Sequence, residues 1–199
     1  MEFKNILEER YATKLFDGNK IDDDKIEQIK DMIRLSPSAI NLQPWKIKIV
    51  SDESLKEKLS PVSMDQPQIK SCSHLLVFCA NKDLKGSAEK LISKLKSFGA
   101  PEENIEFLEN ILNNFLSMFP DERGICEAQQ NVFIAAITAI YAAKSLGIDS
   151  CPMQGFDPAA YSDILEIPEN LIPTIIVPMG YPADKPMPKM RYSKEEIFF

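Results

Sequence analysis

The stretch Val132 to Ala143, VFIAAITAIYAA, constrains this chain more than any other segment. Its 12 residues are broken only by Thr138 and show no polar face. A helix apolar nearly all round must be enclosed by other elements. It falls short of the roughly 20 residues a membrane span needs. The helix extends over about 122–146, with Pro120 ahead of it and Gly147 as its C′ residue. It is therefore expected to be buried on most sides.

Two apolar runs supply what packs on it. His74-Leu-Leu-Val-Phe-Cys-Ala80 is continuous, as in a central strand, and Pro173 to Tyr181 (PTIIVPMGY) reads as another. In WKIKIV, Trp45, Ile47 and Ile49 alternate with Lys46 and Lys48, a strand with one wet face. Helices are expected at 2–10, with Phe3, Ile6 and Leu7 on one face, and after Asp22-Asp23-Asp24, where three acids suit a positive helix start. In the latter, Ile26, Ile29, Met32 and Ile33 form the buried stripe, and Pro37 stops it. Further helices are expected near 54–59, at 86–98 and at 102–118, and after the Asp157-Pro158 cap. The class is α+β. A very apolar long helix and a chain end in Ile197-Phe198-Phe199 both suggest an oligomer with a core-like interface.

Composition narrows function. At 199 residues one domain is expected, burying roughly 70% of the unfolded surface. A net charge of −7 counts against nucleic acid as a partner. With the one histidine, His74, no multi-His metal site can form within a chain, and a Ser-His-Asp triad has a single candidate base. His74 itself reads as a satisfied core residue. Neither G-x-G-x-x-G nor G-x-x-x-x-G-K-[ST] occurs. Reactivity is therefore expected to come from something bound. The start, MEFKNILEERYATK, lacks an apolar signal region, and Cys72, Cys79, Cys126 and Cys151 form no C-x-x-C. A reducing cytoplasm is expected, with Cys79 and Cys126 as buried small hydrophobes.

Four constellations could carry chemistry. Arg10-Tyr-Ala-Thr-Lys14 and the tail cations Lys185, Lys189, Arg191 and Lys194 are two basic patches on an acidic background. Guanidinium plus ammonium suits a phosphate, though plain surface charge reads the same way. Ser36-Pro37-Ser38-Ala39-Ile40-Asn41-Leu42-Gln43-Pro44-Trp45 joins a helix to a strand with small hydroxyl and amide groups. Pro152-Met153-Gln154-Gly155-Phe156-Asp157 leads into a helix N-terminus with free N–H groups.

Their order and spacing resemble the nitroreductase family of FMN-dependent flavoproteins. R-Y-A-T-K-x-F-D comes first, then S-P-S-x-x-N-x-Q-P-W, D-Q-P-Q ahead of S-H-L-L-V-F-C-A, P-M-Q-G-F-D, and P-K-M-R-Y last. The likeness spans 1–199 as a single FMN-binding unit, with a variable helical excursion at about 84–120 and an exchanging tail at about 182–199. It implies a central mixed, mainly antiparallel sheet flanked by helices, in an intertwined homodimer.

The same likeness implies a site. Arg10, Lys189 and Arg191 would hold the FMN phosphate, supported by the backbone of Tyr11 and Ala12. Lys14 would lie near the ribityl chain and pyrimidine edge. Pro37, Ser38, Ala39 and Asn41 would arrive from the other subunit. Asp65 and Gln68 would stand at the pyrimidine edge, and Pro152, Met153, Gln154 and Gly155 would cover one ring face. A backbone N–H of Gln154 or Gly155 would lie near flavin N5. NADH or NADPH would donate a hydride to N5, and a nitroaromatic, quinone or enone would accept it, with ping-pong kinetics. No side chain need act as nucleophile or base.

There are departures. Ala12 replaces a frequent Ser, and Gln154 a Glu. Asp65 stands for an Asn, so either Gln66 or Gln68 donates to a ring carbonyl, or Asp65 accepts from N3–H. Gln68 replaces a Lys, which removes a cation and lowers the expected flavin potential. Other readings remain: dehalogenation, flavin destruction or ring dehydrogenation on the same scaffold, an FMN-binding electron shuttle, or a colourless phosphate-ligand sensor.

Overall fold

The two apolar runs become neighbouring strands of one sheet. The computed structural model describes residues 2–199; Met1, the first residue of the expected 1–199 unit, lies outside them. Along the chain the elements are α1 (Phe3–Glu9), α2 (Asp23–Arg34), β1 (Trp45–Val50), α3 (Glu53–Leu59), α4 (Pro67–Ser71), β2 (His74–Asn81), α5 (Leu84–Ser97), α6 (Glu102–Met118), α7 (Asp121–Ser145), β3 (Asp149–Ser150), α8 (Pro158–Leu165), β4 (Leu171–Gly180) and α9 (Lys194–Ile197). The strands lie in the order β1-β2-β4-β3, and each neighbouring pair is antiparallel. Among the described residues, parallel pairing is confined to the bridge between Ala12 and Ser150. The α+β class is as expected.

Alternation explains why β2 reads as continuously apolar. Leu76, Phe78 and Ala80 face a core with α2, α5, α6 and α7, while Leu75, Val77 and Cys79 face one with α3, α4 and α8. β4 divides the same way, Ile175 and Val177 against Ile176. A strand covered on both faces has no polar side to show. Each such Leu, Ile or Phe contributes about 1.5–3 kcal/mol on burial. Trp45, Ile47 and Ile49 of β1 also pack on the α7 side, and Lys46 and Lys48 stay exposed. Between Phe78 and Cys79 the register shifts, passing from Ile175 to Pro173, so the bulge falls beside a residue with no N–H to give.

Helix α7 lies across the sheet. Val132, Ala135, Ala136, Ala139, Ile140, Ala142 and Ala143 are buried. Its end is a left-handed turn at Gly147 (φ 75°), with the Ile148 N–H donating to Ala143 O at 2.9 Å. Only glycine takes that φ without a Cβ penalty. One face of α7 stays open within this chain. Phe133, Ile134 and Ile137 remain 37–38% exposed. α1 is similarly one-sided, with Ile6 buried but Phe3 and Leu7 exposed; Phe3 leans edge-on against Tyr141 of α7. Met32, placed in the buried stripe of α2, is only half-buried. Cys126 is exposed, against expectation, because in the first turns of α7 it is Gly124 and Ala128 that turn to the core. Cys79 is buried, and burial pushes its thiol up to about 12. His74 is buried with Nδ1 2.9 Å from Ser73 Oγ, and burial lowers its pKa.

After β4 the chain continues alongside 13–17. Phe16 bridges Pro182, the Asp17 N–H donates to Tyr181 O, and the Ala183 N–H donates to Leu15 O at 2.8 Å. Gly180 admits this crossing, since a Cβ there would meet the Phe16 ring at 2.8 Å. The two segments that hold the basic patches are thereby tied together.

Candidate functional site

Arg10 caps the end of α1 with extended backbone (φ −64°, ψ 140°). The following strand-like residues run beside β3, with the Thr13 N–H donating to Ser150 O at 3.3 Å. Asp184 pins the tail to this segment. Its carboxylate accepts from Tyr11 Oη at 2.8 Å and from the Lys14 N–H at 2.7 Å. Burial, then this hydrogen bond, pushes Tyr11 up to about 12. The sequence offered no sign of Asp184's role beyond its being an acid in a basic, proline-rich tail.

The cations converge here. Lys189 Nζ donates to the carbonyls of Leu7 and, at 2.9 Å, Glu8, the last turn of α1, where partial negative charge collects. Partial burial, then the nearby charges of Arg10 and Arg191, lower the Lys189 pKa. The Glu8 carboxylate acts against them. Arg10 Nε is walled off without a hydrogen-bond partner. Among the described residues, none of Arg10, Lys14, Lys189 or Arg191 forms an ion pair. Nearby Lys144 is neutralised by Asp149 at 3.0 Å.

Next to the cations lies a polar relay. Lys14 Nζ reaches Cys151 Sγ at 3.5 Å, and Gln68 Nε2 lies 3.9 Å from the same sulfur. Burial pushes the Cys151 thiol up, more than Lys14 pulls it down, so it stays protonated. Gln68 Nε2 also meets Gln66 Oε1 at 3.3 Å, and Gln66 Nε2 donates to Gly155 O at 3.1 Å. Gly155 is packed against Gln66, whose Nε2 a Cβ there would meet at 3.1 Å. Pro152 and Gln154 are exposed, and Met153 is buried, bridged to Ile176. Among the described residues the Gln154 and Gly155 N–H groups donate to nothing. Asp65 is exposed, with Oδ1 accepting from Ser60 Oγ at 3.2 Å.

The Pro37–Asn41 loop sits apart from all this. The Ala39 N–H donates to Asn131 Oδ1 of α7 at 2.8 Å, and the Gln43 N–H to Ser38 Oγ at 2.9 Å. No hydrogen bond joins the loop to Arg10, Lys14 or 152–155 among the described residues. Ile40, Asn41 and Gln43 have φ of 51°, 56° and 48°. A β-branched residue there is a true outlier, held only because the surroundings over-determine it. One chain thus gathers Arg10, Lys14, Gln68, Gly155 and Lys189, and leaves Pro37, Ser38, Ala39 and Asn41 elsewhere. The sequence reading missed Asp184, Asn131 and Cys151 as holders of this geometry.

The nitroreductase family model matches residues 7–181. The chain belongs to the nitroreductase family. A provisionally named NAD(P)H nitroreductase of Staphylococcus haemolyticus is 33% identical over 97% of this chain and 94% of its own. YfkO of Bacillus subtilis, named in the same way, is 31% identical over 94% and 92%. The crystal structure of YdfN from Bacillus subtilis superposes with a TM-score of 0.91 at 25% identity, covering 99% of this chain and 97% of that one. A nitroreductase-type protein of Exiguobacterium sibiricum, solved in complex with FMN, shares the fold at TM-score 0.87 and 19% identity, covering 99% and 96%. This places the chain in an oxidoreductase family whose fold it shares across nearly its whole length.

Proposed function

We propose that this chain is an FMN-dependent oxidoreductase that uses NADH or NADPH to reduce nitroaromatic, quinone or similar electron-poor acceptors. The observation that carries the reading is Lys189 of the tail seated on the Leu7 and Glu8 carbonyls, next to Arg10, whose buried Nε has no hydrogen-bond partner. A flavin phosphate fits that donor set. Arg10 and Arg191 would grip it by paired N–H donors and Lys189 as a point charge. Tyr11 and Ala12 would frame it with their backbone, and Lys14 would reach the pyrimidine edge beside Gln68 and Asp65. Pro152, Met153, Gln154 and Gly155 would cover one ring face, and the free Gln154 and Gly155 N–H groups suit a ring nitrogen acceptor. When bound, FMN supplies hydride transfer through N5, first from the nicotinamide and then to the acceptor, in ping-pong order. The chain's own groups bind, orient and exclude water; none is needed as nucleophile or base.

The unit extends over 1–199, with the 84–120 excursion shaping access for the acceptor, and it works as a homodimer. Support comes from the exposed Phe133, Ile134 and Ile137 of α7 and from Ile197, Phe198 and Phe199, which are 53% or more exposed. Pro37, Ser38, Ala39 and Asn41 then arrive from a second copy. Among the described residues, no helix is long and apolar enough to cross a membrane.

The test is the visible spectrum of the purified protein before and after anaerobic NADH or NADPH. A yellow protein bleached by either supports the reading. A colourless protein that takes up no FMN overturns it, and a yellow protein bleached by neither reduces it to a flavin carrier.

A further inference from the structure

The two glutamines before β2 carry an inference that rests on the FMN reading and deepens it. Gln66 Nε2 contacts two backbone carbonyls, Ser63 O at 3.1 Å and Gly155 O at 3.1 Å. A carbonyl only accepts, so this end of the amide must be the NH2, and Oε1 must face away. What it faces is Gln68, across 3.3 Å. Gln68 must therefore turn its own NH2 toward Gln66. The second hydrogen of that NH2 is directed at Cys151 Sγ, 3.9 Å away. The sulfur can serve as acceptor there, since it also receives the Lys14 ammonium, which has no acceptor to offer. Two fixed carbonyls thus set the direction of every polar group along the relay.

What is left over is Gln68 Oε1. No described residue donates to it, and it is not among the walled-off unpartnered atoms, so it keeps an opening. We propose that Gln68 presents a hydrogen-bond acceptor, not a donor, to the pyrimidine edge of bound FMN, with Lys14 as the cationic donor beside it. The ligand chemistry that satisfies Oε1 is a ring N–H. Neither Gln66 nor Gln68 then donates to a ring carbonyl, because both NH2 groups are already engaged. An acceptor dipole beside the ring opposes added electron density, so Gln68 holds the flavin at a lower potential than an apolar side chain of the same length would.

Gln68→Met tests this, because it keeps length and removes the acceptor. The readouts are the FMN midpoint potential and the affinities for oxidised and reduced FMN. The midpoint is expected to rise, with the preference for reduced over oxidised FMN growing about 3- to 10-fold. A fall in potential would mean a donor had been removed, and it overturns the proposal; so does an unchanged potential. Gln66→Met provides an independent route should Gln68→Met not fold. It frees Gln68 to turn its NH2 toward the ring, so the midpoint should again rise, and a fall or no shift there counts against the proposal. Wild-type protein that binds no FMN would instead sink the FMN reading itself, before any variant is made.

Discussion

The cation-lined segment and the Pro37–Gln43 loop reach their shapes by opposite means. Residues 10–17 are laced to β3 and to the chain after β4 by backbone hydrogen bonds, and Asp184 ties down both Tyr11 and Lys14. Among the described residues, the cations they bring together form no ion pair. The loop keeps its backbone hydrogen bonds local, takes positive φ at Ile40, Asn41 and Gln43, and is clamped by Asn131. The first region stores its capacity as unsatisfied charge, the second as unfavourable backbone. Under the proposed function an anion would relieve the first cost, while the second is borne by the packing that holds the loop.

The largest expected effect would strike the charged region. Arg10→Ala and Arg191→Ala should each weaken FMN binding about 10- to 100-fold, the worth of one charge-assisted contact set, read by fluorescence titration. Full retention of flavin by Arg191→Ala would remove that residue from the phosphate clamp. On the loop side, Asn131→Ala leaves the Ala39 N–H and the Glu127 carboxylate without their shared partner. A stability loss of about 1–3 kcal/mol in urea unfolding is expected. If stability is unchanged, the loop is not clamped and the contrast fails.

A third experiment concerns pH. Lys189 titrates below an ordinary lysine, through burial first and then the neighbouring Arg10 and Arg191. A bound dianion restores its pKa, so binding takes up a proton in the alkaline range. FMN affinity should be full below the depressed Lys189 pKa and fall as pH rises through it. Lys189→Met should flatten that alkaline limb. Affinity should also fall at acid pH as the phosphate takes its second proton, near a pKa of about 6. The smallest effect is chemical. Exposed Cys126 should react with iodoacetamide first, whereas Cys72, whose thiol burial pushes to about 12, and Cys151 should lag until unfolding.

Much of the architecture was legible because burial writes itself into hydrophobic pattern. The run His74–Ala80, the alternation in WKIKIV, the Asp157-Pro158 cap and Gly147 all stand where periodicity and capping put them. The two-residue β3, the short α4 and the terminal α9 were not legible, since elements of a turn or less have no period to detect. Cys126 was misplaced because a small apolar residue carries no sign of which helix face it occupies. Exposure of Phe133 and Ile137 likewise depends on what else lies over α7.

By itself, the sequence determined the α+β class, the long apolar helix of the core, the absence of a glycine nucleotide loop, and which residue types could hold a phosphate. These follow from composition and local spacing. Only the tertiary structure decided that the patches at 10–14 and 189–191 meet, through Gly180 yielding to Phe16 and Asp184 bridging to Tyr11 and Lys14. Only it decided which way Gln66 and Gln68 face, because hydrogen-bond direction is set by carbonyls at Ser63 and Gly155, the latter 89 residues from Gln66 along the chain. Chemistry of residue types is local information; polarity at a site is a property of what surrounds it.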